Sequence, residues 1–254
     1  MKHIKSYDEL IFSFFKSKKT MNIKNICKKY DIENYTINED GSIDVNGDVN
    51  LSFKSLTELP LKFRNVTGTF QCSDNKLSTL EGCPKSIGGD FFLHFNYLTS
   101  LKGCAVKVNG GFECSNNRLS TLENSPQIVN GYFICNSNEL TTLKGAPESI
   151  GSGFLCTNNK LKSLEFCPKS PLIECDRNEI RTFEHLPLSI NVFNCYHTPI
   201  WEVWKLFKNS EKIEFFNYCD PIREPNIIIL ERLNFFLEEI GKNHVKRVEG
   251  YKCI

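Results

Sequence analysis

From Phe70 to Gly153 the chain repeats itself every 21 residues without a gap, as FQCSDNKLSTLEGCPKSIGGD, FFLHFNYLTSLKGCAVKVNGG, FECSNNRLSTLENSPQIVNGY and FICNSNELTTLKGAPESIGSG. A period of this length is the mark of an array in which each unit is one small structural element. Shorter copies follow, FLCTNNKLKSLEFCPKSPL and IECDRNEIRTFEHLPLSINV, then a partial one that begins FNCYHTPI, while VNLSFKSLTELPLKFRNVTGT matches more loosely upstream. One reference position per unit, at Leu51, Cys72, Leu93, Cys114, Cys135, Cys156, Cys175 and Cys195, predicts about eight coils.

Within a unit the pattern gives the expected path. Val108, Gly110, Phe112 and Cys114 alternate with other residues, as do Ile87, Gly89, Phe91 and Leu93, which predicts one continuous strand with a single buried face. Asn75, Asn96, Asn117, Asn138, Asn159 and Asn178 then share one turn position, where an amide can cap backbone groups of its own and the neighbouring coil. Two leucines follow, such as Leu119 and Leu122, and a proline such as Pro84, Pro126, Pro147 or Pro168 bends the return path. A single unit buries too few apolar side chains to offset the ordering of its backbone, so neighbours must share one interior and both ends need covering.

The expected fold class is therefore an α/β repeat solenoid, a stack of about eight coils with helical caps at both ends. Residues 1–46 are read as an N-terminal cap, 47–200 as the solenoid and 201–254 as a helical C-terminal cap. Ser6 with Glu9 forms a capping box before Leu10, Ile11, Phe14 and Phe15, which predicts a first helix near residues 6–18. A second helix is expected over 22–30, then a hairpin of YTIN and SIDV about the turn EDG. Downstream, Trp201, Trp204, Leu206 and Phe207 suit a helix over the last coil, and Pro225 is read as opening a longer helix that Gly241 closes.

The motif F-x-C-x-x-N-x-L-x-x-L resembles the L-x-L-x-x-N-x-L-x-x-L of the leucine-rich repeat family over about residues 47–200, with Phe and Cys in two aliphatic slots. The stretch YTINEDGSIDVNGDVNLSFKSLTELPLKF, followed by coils of the C-S-x-N-x-L-x-x-L-x-G-C-P type, is similar to leucine-rich repeat proteins of large tailed bacteriophages. That similarity implies a phage origin and, with it, a place in the host cytoplasm or in the virion.

Chemistry-bearing residues give little sign of an active site. All cysteines except Cys27, Cys219 and Cys253 fall on two repeat positions, and Leu93, Ser125 and Ala146 fill the same positions elsewhere, which a metal ligand would not allow. The thiols are expected to be reduced and the protein intracellular, since the N-terminus does not read as a secretory leader. Cys72-Ser73-Asp74 spells the C-x-D nucleophile motif of bacterial effector ubiquitin ligases that carry leucine-rich repeats, but equivalent coils read C-S-N or C-T-N, so the repeat itself accounts for it. His94 and His197 lie too many coils apart to share a site. No catalytic residue, metal ligand or cofactor is expected, and a net charge of +1 gives no general field for nucleic acid. No apolar run is long enough to span a membrane, although the lysine-rich first helix could touch a membrane or phage-shell surface.

What remains is the outward side of the strands, expected to bind a protein of unknown identity. Its candidate residues are Asp90, Phe92, His94, Glu113, Tyr132, Ile134, Asn136, Leu155, Leu172, Glu174 and Tyr196, in which Phe92, Tyr132, Ile134 and Leu155 form an apolar group rimmed by acids and polar residues. The leading expectation is a non-catalytic protein interaction module aimed at a host or phage protein. The alternatives are a virion or assembly component, and an enzyme that uses Cys219 or a buried thiol.

Overall fold

The computed structural model describes residues 20–254 apart from 188, 189 and 225. The helix expected over 6–18 lies outside the described residues. The fold is α/β, with parallel strands in two open sheets and few helices.

The 21-residue segments from Phe70 to Tyr132 each contribute two short strands instead of the single continuous one expected from residues 108–114, and in the next segment Ile150 makes only an isolated bridge to Val129. Lys107–Val108 belongs to a six-stranded sheet and Phe112–Glu113 to an eight-stranded one. Between them the chain turns: Asn109 N–H donates to Ile87 O at 3.0 Å and Gly110 N–H to Gly89 O at 2.9 Å, so the corner itself is stacked on the corner of the preceding segment. The glycine that resembled one more inward residue of a strand is the place where the strand stops. At the corner of the preceding segment, a Cβ on Gly88 would run into the carbonyl oxygen of Thr67, so this corner leaves no room for a side chain, whereas Asn109 and Asn130 hold the equivalent place in the next two segments.

The eight-stranded sheet pairs in parallel from Val49–Asn50 to Val192–Asn194. Its register sets Phe70 beside Phe91, Phe91 beside Phe112, Phe112 beside Phe133 and Phe133 beside Phe154, all of them fully buried. Neighbouring rings lie 5.0–5.7 Å apart in edge-on or tilted contact, a favoured aromatic geometry. All eight reference positions from Leu51 to Cys195 are likewise inaccessible to solvent. On the six-stranded sheet, Val45, Val66, Ile87, Val108 and Val129 supply the opposite wall of this interior.

The asparagines act as expected. Asn96 donates through Nδ2 to Leu93 O of its own segment and to Cys72 O of the one before, each at 3.0 Å, while its Oδ1 accepts from Leu77 N–H at 2.9 Å. Asn117, Asn138, Asn159 and Asn178 repeat the arrangement. The residue before each amide is held in the left-handed region, with φ of 54° at Asp74, Phe95 and Ser137. Such backbone is unfavourable for residues other than glycine unless its surroundings fix it, and the ladder amide does so.

Two short regions flank the array. Helix α1 covers 20–29 among the described residues, against the 22–30 expected, and buries Ile23 and Cys27. The hairpin Tyr35–Ile37 with Ile43–Val45 follows as expected. After the array come α2 (Trp201–Phe207), α3 (Ile213–Cys219) and α4 (Leu230–Glu239). The last helix begins at Leu230 rather than at residue 225, because Ile222–Glu224 and Ile227–Ile228 pair as strands and Lys252–Cys253 joins them. Phe183, in the last repeat, packs its ring on Trp204, Phe207 and Phe216 at 5.2–5.8 Å, and Tyr251 Oη–H donates to Arg181 O at 2.7 Å. No helix among the described residues is long and apolar enough to cross a membrane.

Candidate functional site

Strand register decides which outward residues meet. Asn50, Gln71, Phe92, Glu113, Ile134, Leu155, Glu174 and Asn194 stand side by side, one per strand of the eight-stranded sheet, at the roughly 4.8 Å spacing of paired strands. Their inner neighbours are buried, so these side chains turn away from the core. The row beside it holds Asp90, Gly111, Tyr132, Gly153 and Leu172 in turn. Glycine at every second place leaves room between the larger side chains.

That room is a hollow of about 360 Å³, lined among others by Asp90, Phe92, Glu113, Tyr132 and Ile134. The structure therefore brings five of the sequence-predicted residues into one depression with an apolar floor and two carboxylates on its rim. Tyr132 remains 48% exposed. Asp90 also has a structural duty, as its Oδ1 accepts from Gly111 N–H at 2.6 Å. Leu155 is paired to Ile134 and continues the apolar floor.

His94 sits one step along, half-buried and not the free surface contact the sequence suggested. Its Nδ1 is 3.1 Å from Ser73 Oγ and 3.5 Å from Glu113, and its Nε2 is 3.8 Å from Asp74. Its ring meets Phe92 and Phe95 edge-on. Serine, imidazole and carboxylate are thus adjacent, with Ser73 only 2% exposed in the wall of a neighbouring hollow.

The other predicted residues lie apart from the hollow. Asn136 Oδ1 accepts from Thr157 N–H at 2.8 Å, which makes it a strand-to-strand tie. Glu174 accepts from Asn194 at 3.1 Å, Leu172 is half-buried beside it, and Tyr196 packs on His197 and Trp201 at 4.0 and 5.1 Å near the C-terminal end.

Sequence reasoning missed a second hollow of about 430 Å³ on the same face, lined by Tyr30, Asp31, Asp48, Asn50, Phe53, Lys54, Asp74, Phe92 and His94, among others. Phe92 borders both. Phe53, 77% exposed with φ of 59°, holds the position 21 residues before Asp74, inside the upstream copy that matches the repeat only loosely.

The thiols line no site. Burial pushes Cys83, Cys167 and Cys195 up to about 12, and it raises Cys72, Cys135 and Cys156 well above the ordinary thiol range as well. These groups stay protonated and, apart from the half-buried Cys167, covered, the opposite of an activated nucleophile. Among the described residues, no group of three or more His, Cys, Asp or Glu side chains is arranged to hold a metal ion.

Comparison with family models, with curated proteins and with solved structures returns no match for this chain. Its function must be argued from the face itself.

Proposed function

We propose that the chain is a non-catalytic protein-binding module, built as a leucine-rich-repeat-like solenoid of about eight coils with helices over both ends, and that it holds its partner on the outward side of the eight-stranded sheet. In keeping with the resemblance of its repeats to those of tailed phages, the partner is a host or phage protein in the cytoplasm. The solenoid reading is supported by the constant step of the register, since each Phe pairs with the Phe 21 residues later from Phe70 to Phe154.

The observation that carries the binding function is the apolar hollow of Phe92, Tyr132 and Ile134 with Asp90 and Glu113 at its edge. A concave apolar surface with a polar rim is the usual anatomy of a contact centred on a few anchor residues. The covered, protonated thiols and the buried Ser73 argue against a nucleophile on this face.

A crosslinking pull-down with native bait and with an Ile134→Glu/Leu155→Glu bait tests the proposal. Glutamate is native in the same outward row at Glu113 and Glu174, so the variant is expected to keep the native thermal transition and to lose the partner. A partner retained equally by both baits would refute the assignment of the face.

A further inference from the structure

We infer that the occupant of this face is an extended segment of a partner protein that sets a lysine or arginine in the acidic hollow beside Asp74 and a large apolar side chain in the apolar hollow beside Tyr132 and Ile134. The inference rests on the protein-binding reading and adds the chemistry of the partner.

Charge gives the first argument. Among the described residues the two hollows are lined by Asp31, Asp48, Asp74, Asp90 and Glu113, with Lys54 as the only lysine or arginine. The whole chain carries +1, so this acidity is concentrated in the groove and is not a property of the protein at large. Such a groove repels phosphate backbones and anionic lipid headgroups and attracts cationic side chains.

Shape gives the second. Phe92 stands between the hollows, with the acidic one on the side of Asp74 and the apolar one on the side of Tyr132 and Ile134. From the strand Phe70–Gln71 to the strand Tyr132–Ile134 the register makes three steps. At about 4.8 Å each they span roughly 14 Å, which an extended peptide covers in about four residues. The recognised element is therefore a basic residue about four positions from a Phe, Leu or Trp.

The test uses the full-length chain, fluorescently labelled, on an array of short glycine-serine peptides. Each peptide carries one Lys, Arg or Glu and one Phe, Leu or Gly at graded separations. Binding is expected to peak for Lys or Arg about four residues from Phe or Leu, to weaken as salt is added, and to fall about tenfold in the Asp74→Asn/Glu113→Gln variant. This variant is built from residues the repeat already tolerates, because Asn116 and Asn158 occupy the place of Asp74 and Gln71 that of Glu113. Equal binding of the Glu peptides, no binding to any peptide, or indifference to the double variant would overturn the inference. So would a native chain that self-associates through this face in sedimentation, which would make a second copy the occupant. A pull-down partner lost with Ile134→Glu/Leu155→Glu but unaffected by Asp74→Asn/Glu113→Gln would overturn the partner chemistry alone and leave the binding face standing. One insensitive to both pairs would remove both.

Discussion

Replacing Asn117 by alanine tests how the array holds together. The Asn117 amide donates to Leu93 O and Cys114 O at 3.1 Å each and accepts from Leu98 N–H at 2.9 Å, all out of reach of solvent. The two carbonyls are insured, since Leu93 O also takes Asn96 and Cys114 O also takes Asn138. Leu98 N–H has no such second partner from the ladder. Truncation therefore leaves one buried donor unpaired, at about 1–3 kcal/mol, and gives up two further bonds worth about 1 kcal/mol each. The expected loss is about 3–5 kcal/mol, a large share of the roughly 5–15 kcal/mol that holds a typical domain together. Urea unfolding followed by circular dichroism should show a lower midpoint with an unchanged slope. Asn117→Asp keeps the acceptor for Leu98 but turns an oxygen toward two carbonyl oxygens, and it should destabilise at least as much. A loss below about 1 kcal/mol for Asn117→Ala, or a neutral Asn117→Asp, would show that the ladder amides are not what joins the segments.

Two further outcomes follow from burial and backbone. Gly88→Ala should abolish soluble expression or lower the melting temperature sharply, because the added carbon meets Thr67 O; Gly241→Ala, with φ of 72° and open space around it, should cost only about 1 kcal/mol. Equal melting temperatures for the two would refute the stacked-corner argument. In thiol titration of the native chain at mildly alkaline pH, Cys219 and Cys253, both partly exposed, should react first, while Cys83 and Cys195, buried and pushed up to about 12, stay silent until the chain unfolds. Because the folded thiols keep protons that the unfolded chain sheds above about pH 8.5, stability should fall as pH rises beyond that point. Early modification of Cys83, or a flat alkaline profile, would contradict the burial.

The parts of the fold that could be read from the sequence are those fixed by contacts between like positions. Phe, Cys, Asn and Leu recur because each meets its own counterpart one repeat away, so a period in the sequence is already a contact in space. The division into two sheets was hidden because Val108, Gly110 and Phe112 mimic alternation while the chain turns at Gly110. The C-terminal region has no such internal echo. The strand Lys252–Cys253 pairs with Ile227–Ile228 across more than twenty intervening residues, and no local pattern announces that pairing or the late start of α4. On the face, period-two reasoning found the outward residues, but it could not see that Gly111 and Gly153 open space between Asp90, Tyr132 and Leu172. It also missed the acidic hollow beside Asp74, whose walls come partly from Tyr30 and Asp31 at the end of α1.

Because Cys72 O, Leu93 O, Cys114 O and Cys135 O each accept one amide from within and one from the next rung, an interior segment meets the same surroundings wherever it stands in the row. A gene that duplicated or dropped one such segment would change the length of the grip by a single strand spacing while leaving every junction chemically as before. The first rung differs, for Asn75 Oδ1 accepts from Lys54 N–H in addition to the regular bond from Leu56 N–H, and the last gives way to Thr198, whose hydroxyl donates to its own Cys195 O. Variation in reach is thus free in the middle of the row and forbidden at its two borders.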